Sequence, residues 1–337
     1  MSSSSQSPSA RELPRWSAGH LVVLLLLCAA GWAVAAVGSM MVGSTGIGWP
    51  KGELIWSFRR ESTLVASLIG ASLALAGVTY QAVLRNPLAE PYLLGVSSGA
   101  SLAVFAWSTM SFASLQLANI SQQAAAFTGG IATLAIVFLL AQRRGRLEPL
   151  TLLLVGVIVN AINGALFLLI FFLARSTDLQ KAFRFLAGGL QPDLAPSQII
   201  TVAILFAASL VILLAISGQL NISMLSEAEA QSLGVRIHRL RWAAMIVASL
   251  ATASAMAISG PIGFVGLVCP HVGRLLVGND QRKLIPVATA LGAALLAVAD
   301  ASSRMMGQLP VGVLTGFLGG PFFLFLLWQN RKTGGGA

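Results

Sequence analysis

Residues 226–241 read SEAEAQSLGVRIHRLR, a polar island in a chain that is otherwise mostly apolar. Glu227, Glu229, Arg236, Arg239 and Arg241 fall within it, Gly234 stands at its middle, and long apolar runs lie on both sides. Glycine permits a sharp change of backbone direction. The island therefore predicts a short helix–Gly–helix elbow between two membrane spans. The plain alternative is an ordinary solvated loop.

Of the 337 residues, 56% are hydrophobic and only 9% charged, against about 25% charged in soluble domains. With a mean hydropathy of +0.83, the chain reads as an integral membrane protein with lipid as its surroundings. A net charge of +10 would suggest nucleic acid in a soluble protein. Here loop Lys and Arg that set membrane orientation account for it, and no nucleic-acid partner is expected. Cys28 and Cys269 each stand alone among apolar residues, so neither a disulfide framework nor a thiolate metal site is expected.

A spanning helix takes about 20 mostly apolar residues. Ten segments are candidates: 18–42, 60–84, 92–110, 122–141, 149–173, 196–217, 241–259, 260–277, 284–302 and 309–329. The apolar run at 21–37 is too long for a signal-peptide core and has no convincing cleavage site. The eighth segment carries Pro261, Gly263, Gly266, Pro270 and His271. Irregular backbone at membrane depth is tolerated where it is buried in protein or lines a cavity, which places this segment inside the bundle. Residues 1–17 are expected to be a disordered cytoplasmic tail, 18–330 a single transmembrane domain, and 331–337 a flexible end. A short interfacial helix is expected around 179–186. With the N-terminus inside, ten spans return the C-terminus to the same side. The 21 Lys and Arg then divide as 14 on inner loops and 7 on outer ones, as the positive-inside rule asks. The expected fold class is an all-α integral membrane protein with ten transmembrane helices. Small residues at four-residue spacing, Gly95 with Gly99 and Gly312 with Gly316 and Gly320, allow close helix approach.

Membrane-embedded enzymes and proton-coupled carriers place ionisable groups within spans. Asp300 and His271 are the nearest to that description, and neither has a ligand-like neighbour at helical spacing. No catalytic constellation and no metal set is apparent, and His271 after Pro270 reads more readily as structural than as a ligand. The chain has no Gly-x-x-x-x-Gly-Lys-Ser/Thr loop, so nucleotide chemistry must come from another chain. It is expected not to be an enzyme.

Residues 66–99 (ASLIGASLALAGVTYQAVLRNPLAEPYLLGVSSG), 260–274 (GPIGFVGLVCPHVGR) and 309–325 (LPVGVLTGFLGGPFFLF), with the SLGV of the elbow, resemble the FecCD family of ABC-transporter permeases. That family imports iron–siderophore complexes, haem and vitamin B12. The resemblance runs from about residue 20 to 330 and implies the type II importer fold. It also implies two copies of the chain around a central path, two cytoplasmic ATP-binding subunits using ATP and Mg, and a periplasmic substrate-binding protein. The setting would be the bacterial inner membrane, with no cofactor bound by this chain. The ATPase contact would fall on Ser226, Glu227, Glu229, Leu233, Gly234, Val235, Arg236 and His238. Asn86, Pro87, Leu88 and Glu90, in a turn stiffened by Pro87 and Pro91, would form a wall of the inner gate; the alternative is a rigid hairpin.

On the outer face the family pattern is Arg-x-Pro-Arg before span two. Arg59 matches its first Arg, Glu61 and Ser62 replace the Pro and the second Arg, and Arg60 offers a substitute charge. Arg304 matches a further family Arg. The resemblance thus implies docking of the binding protein by Arg59, Arg60 and Arg304 through exposed pairs worth at most about 1 kcal/mol each. The path would be lined by spans five, eight and ten, with Asn160, Asn163 and His271 among few polar candidates. A mostly apolar lining suits a bulky metal chelate. A secondary carrier or channel working without an ATPase is the other reading, and transport driven by an ion gradient alone would distinguish it.

Overall fold

The long helix α2 (Glu53–Leu84) runs through the middle of the molecule, and most of its residues from Thr63 onward are buried. The computed structural model describes residues 18–44, 46–50, 52–109, 121–143, 146–173, 185–190, 194–225 and 227–333. Before α2 come α1 (Ala18–Met41) and a hairpin of β1 (Val42–Gly43) and β2 (Gly46–Ile47). After it come a 3-10 turn (Pro91–Leu94), α3 (Val96–Thr109) and α4 (Gln122–Ala141), then a second hairpin of β3 (Gln142–Arg143) and β4 (Arg146–Leu147). The chain continues with α5 (Pro149–Leu173), α6 (Pro196–Ala215), α7 (Ser217–Ser223), α8 (Glu227–Ser232) and α9 (Ile237–Ser259). It closes with α10 (Val265–Val277), α11 (Gln281–Met305) and α12 (Val311–Thr333).

The starts and stops follow local chemistry. Proline opens α5 and α6, where a missing N–H costs nothing. Ser121 caps α4 by accepting from Ala124 N at 3.2 Å, and Asp280 caps α11 by accepting from Arg282 N at 3.1 Å, each satisfying a donor the helix leaves open. The most extensive helix contact joins α2 to α11. A Cβ on Gly70 would overlap the Gly292 carbonyl of α11, and one on Gly77 would overlap the Gly266 backbone of α10. Small residues thus let three backbones meet.

Among the described residues, seven helices are long and apolar enough to cross a membrane: α1, α2, α4, α5, α6, α9 and α11. The third, eighth and tenth expected spans correspond to α3, α10 and α12, of which α10 and the first part of α12 are short apolar helices. The eighth segment becomes helical only at Val265; its first residues, 260–264, are non-helical, so Pro261 lies outside the helix and Pro270 inside it. The gap before span two is largely filled by the β1–β2 hairpin and the first turns of α2. The last helix runs to Thr333. The expected tail at 1–17, and residues 179–184 of the expected interfacial helix, lie outside the described residues.

Chain turns gather at two opposite ends. One end holds α7, α8 and the α2–α3 and α10–α11 turns, tied by Arg85 to Ser223 and by Asn221 to Asp280. Phe138 near the end of α4 meets Trp242 near the start of α9 edge-on at 5.5 Å, which brings the end of α4 close to the same face. The other end holds the β1–β2 hairpin, the start of α2 and the end of α11, tied by Arg59 and Arg304. The glycine stripe on α12 is only partly used. Gly312 packs on Ala187 and Pro261, while Gly316 and Gly320 meet nothing within 4 Å in this chain. Gly319, off that stripe, is packed as well, against Phe264.

Candidate coupling and gate site

The polar island folds as the helix–Gly–helix elbow its sequence suggests. After α8, Gly234 takes φ 79. Its N–H donates to Gln231 O at 2.9 Å, and Val235 N donates to Ala230 O at 3.1 Å. This pair of bonds is the Schellman arrangement, which favours glycine at the left-handed position. A Cβ on Gly234 would meet nothing within 4 Å, so backbone conformation and not crowding dictates the residue. Leu233 is 60% exposed, Glu229, Gly234, Arg236 and Arg239 are exposed, and Val235 and His238 are half-buried. Gln231, Gly234–Arg236, Ile237, His238 and Arg239 line an open depression of about 420 Å³. Ala230 and Ile237 are buried and anchor the elbow from below. His238 Nδ1 is buried without a hydrogen-bond partner. Arg241, the last residue of the island, is buried in α9 and not on this surface. Ser226 lies outside the described residues, as does the side chain of Glu227.

The turn carrying Asn86, Pro87, Leu88 and Glu90 is adjacent. Arg85 caps α2 in the left-handed region (φ 50), a position where glycine is usual, and its Nε donates to Ser223 O of α7 at 2.9 Å. Asn86 Oδ1 accepts from Leu88 N at 2.9 Å, and Ala89 N donates to Asn86 O at 3.0 Å. That is a β-turn with an Asx bond and Pro87 at its second position, which pre-sets φ. Glu90 turns inward, and its carboxylate accepts the backbone N–H of Phe264 just before α10. The structure therefore joins the gate turn to the elbow through α7 and to the broken segment through Glu90. Asn86, Leu88 and Glu90 are half-buried and Pro87 is exposed.

The three polar path candidates do not form one cluster. Asn160 Oδ1 accepts from Ser98 Oγ at 2.6 Å, and its Nδ2 donates to Leu93 O at 3.3 Å. Asn163 Nδ2 donates to Ser98 Oγ at 2.9 Å and Thr133 Oγ1 at 3.4 Å. Asn160 thus clamps α5 to the 3-10 turn and α3, and Asn163 clamps it to α3 and α4. His271 is half-buried and stands edge-on to Phe322 of α12, ring centroids 5.8 Å apart.

The expectation that Arg59 and Arg304 are exposed is overturned: each is only 7% exposed. Arg59 Nη1 donates to Met40 O at 3.0 Å and Gly48 O at 3.3 Å, the two ends of the β1–β2 connection. Gly43 leaves room for its guanidinium, since a Cβ there would overlap Arg59. Arg304 pairs with Asp300 at 3.3 Å, one turn earlier on α11, and donates to Ser39 O at 2.9 Å. Ser62 donates to the same carboxylate at 2.8 Å. Buried charges need such partners, and the last turn of α1 supplies a carbonyl to each arginine, with Gly48 beyond the hairpin adding a second for Arg59. Of the three docking candidates only Arg60 is exposed.

Several residues that join these parts escaped the sequence reading: Gln81, Ser98, Asn221 and Asp280, as did the tie of Arg85 to α7. Gln81 was the most findable, as an amide set within an apolar span. The others are loop or small polar residues whose partners lie more than fifty positions away.

Comparison with known proteins adds the lineage. The FecCD transport family matches residues 20–329. The vitamin B12 import system permease protein BtuC of Vibrio cholerae is 37% identical over 285 residues, covering 83% of this chain and 84% of that protein. The hemin transport system permease protein HmuU of Yersinia pestis is 34% identical over 341 residues, covering 97% of this chain and 99% of that one. A solved inward-facing ABC transporter of metal-chelate type superposes with a TM-score of 0.79 at 29% identity, covering 91% of this chain and 99% of its own.

Proposed function

Because the chain belongs to the FecCD transport family, and is thus a multi-pass ABC-transporter permease subunit whose ATPase is a separate chain, we propose that it carries a metal chelate inward. The cargo class is a ferric siderophore, haem or cobalamin, supported by what its relatives are named for. The working unit is two copies of this chain, two ATP-binding subunits using ATP and Mg, and a substrate-binding protein outside. It sits among the lipids of a bacterial inner membrane with both termini cytoplasmic, and this chain binds no cofactor of its own. On this reading the chain crosses ten times, with α10 and the stretch before it returning from the end of α9 to the start of α11. A helix of 13 residues rises about 20 Å, and the five non-helical residues before it lengthen the segment toward a core about 30 Å thick.

The observation that carries the coupling role is the elbow: an exposed, glycine-capped helical corner beside an open depression, on a chain with no nucleotide loop of its own. The ATP-binding subunit would seat on residues 226–238, and the 86–90 turn beside it would serve as the inner gate. Reconstituted with its ATP-binding subunits and binding protein, the chain is expected to take up its chelate only with ATP and Mg. Uptake driven by an ion gradient with the chain alone would overturn the proposal. Binding of haem, cobalamin and ferric siderophores to the partner binding protein identifies the cargo.

A further inference from the structure

Helix α10 is held near both ends, and each hold leads back to α7. At its start, Glu90 accepts the N–H of Phe264, a residue in the left-handed region at φ 68. A non-glycine residue is strained there, so the surroundings must hold it. Gly319 of α12 closes the other side, since a Cβ there would fall on the Phe264 side chain. Gln81 adds a second hold: its Nε2 donates to Gly266 O at 3.2 Å and Ala89 O at 3.3 Å, and its Oε1 accepts from Arg274. The turn carrying Glu90 is tied by Arg85 to the last carbonyl of α7. Past the other end of α10, Asn221 of α7 donates to Asp280 at 2.7 Å and accepts from Gln281 N at 2.8 Å.

We propose that Glu90 is a positioning residue for transport: through it the α2–α3 turn, fixed by Arg85 to α7, sets the start of α10 against α12. The inference rests on the elbow reading above, since it takes motion of α7 and α8 as the input. A side-chain acceptor suits the task. It meets an N–H that helix geometry leaves without an intrahelical partner, and it can let go and re-form while the apolar packing stays. Glutamine keeps such an acceptor and leucine does not.

The test uses the transporter assembled with its ATP-binding subunits in lipid nanodiscs, in a Cys28→Ser, Cys269→Ala background. Val268→Cys, half-buried one turn into α10, reports maleimide labelling rates with and without ATP and Mg. The parent's rate is expected to respond to nucleotide, Glu90→Gln to keep that response, and Glu90→Leu to lose it. Gly234→Val tests the elbow separately. If Gly234→Val loses the response and Glu90→Leu keeps it, the role of Glu90 is overturned and the elbow reading stands. If Glu90→Leu loses it and Gly234→Val keeps it, the elbow reading falls and takes the route from α7 with it. A parent without response, or equal loss in Glu90→Gln and Glu90→Leu, also overturns the proposal. Should Glu90→Leu fail to assemble, Arg85→Ala cuts the same route at the other end of the turn; an unchanged response there overturns it as well.

Discussion

Glu90 lies in the turn between α2 and α3, outside the spanning helices, and burial pushes its carboxyl up to about 7, against the opposing pull of the Phe264 N–H. The folded chain therefore holds this proton more tightly than the unfolded one, whose carboxyl titrates near 4.5. For a raised acid the stability contribution is full below the unfolded value and is lost as pH rises through the folded one. At about 1.4 kcal/mol per pH unit, the window from 4.5 to 7 is worth at most about 3 kcal/mol. Thermal unfolding midpoints of the purified permease should fall between pH 5 and 7.5, and Glu90→Gln should flatten that fall; parallel curves would refute the assignment. Gly234 makes a different demand. With open space around it, its replacement costs only the left-handed backbone, about 1–2 kcal/mol. Gly234→Asn, a residue that visits that region, should keep most ATP-driven uptake, whereas Gly234→Ala and Gly234→Val should each lose much of it. Equal loss with Asn would point to crowding by a docked partner instead.

At the scale of elements, the sequence made the helices readable because apolar runs and their Pro and Gly boundaries are local signals. The elbow was legible for the same reason, as a charge cluster with a central glycine. Burial of Arg59 and Arg304 was not, because it depends on a hairpin folding back from residues 42–47 and on an aspartate one turn away on α11. The partners of the α5 asparagines were not legible either: amides in an apolar span suggest a path, and in the fold they also bind neighbouring segments. Asn163→Leu should therefore lower thermal stability by about 1–3 kcal/mol, the cost of leaving buried polar partners unsatisfied, while leaving the KM for uptake unchanged. A raised KM with unchanged stability would return Asn163 to the path. The contact of α2 with α10 is tighter still. Gly77→Val drives a side chain into the Gly266 backbone, and overpacking of this kind costs about 1–3 kcal/mol; a normal melting temperature would mean the helices separate freely.

For the whole molecule, the two ends divide the labour: one carries the elbow and gate turn, the other the hairpin over Arg59 and Arg304. The buried arginines hold the β1–β2 connection in place, so a protein docking at that end would feel them from beneath. Arg60, exposed beside Glu61 on the projecting start of α2, is the residue that an acidic binding protein would meet first. Exposed charges of this kind govern encounter more than affinity, and their reach shrinks from about 10 Å at 0.1 M salt to about 3 Å at 1 M. Arg60→Glu should then slow association of the binding protein at low salt, leave dissociation nearly unchanged, and lose its effect at high salt. Arg59→Ala should act differently: it frees the Met40 and Gly48 carbonyls on either side of the hairpin, lowers the melting temperature, and weakens docking at every salt concentration. Stopped-flow association measured across a salt series separates the two. If Arg59→Ala shows the salt-dependent pattern and Arg60→Glu shows none, the hairpin opens on docking and Arg59 is itself the contact.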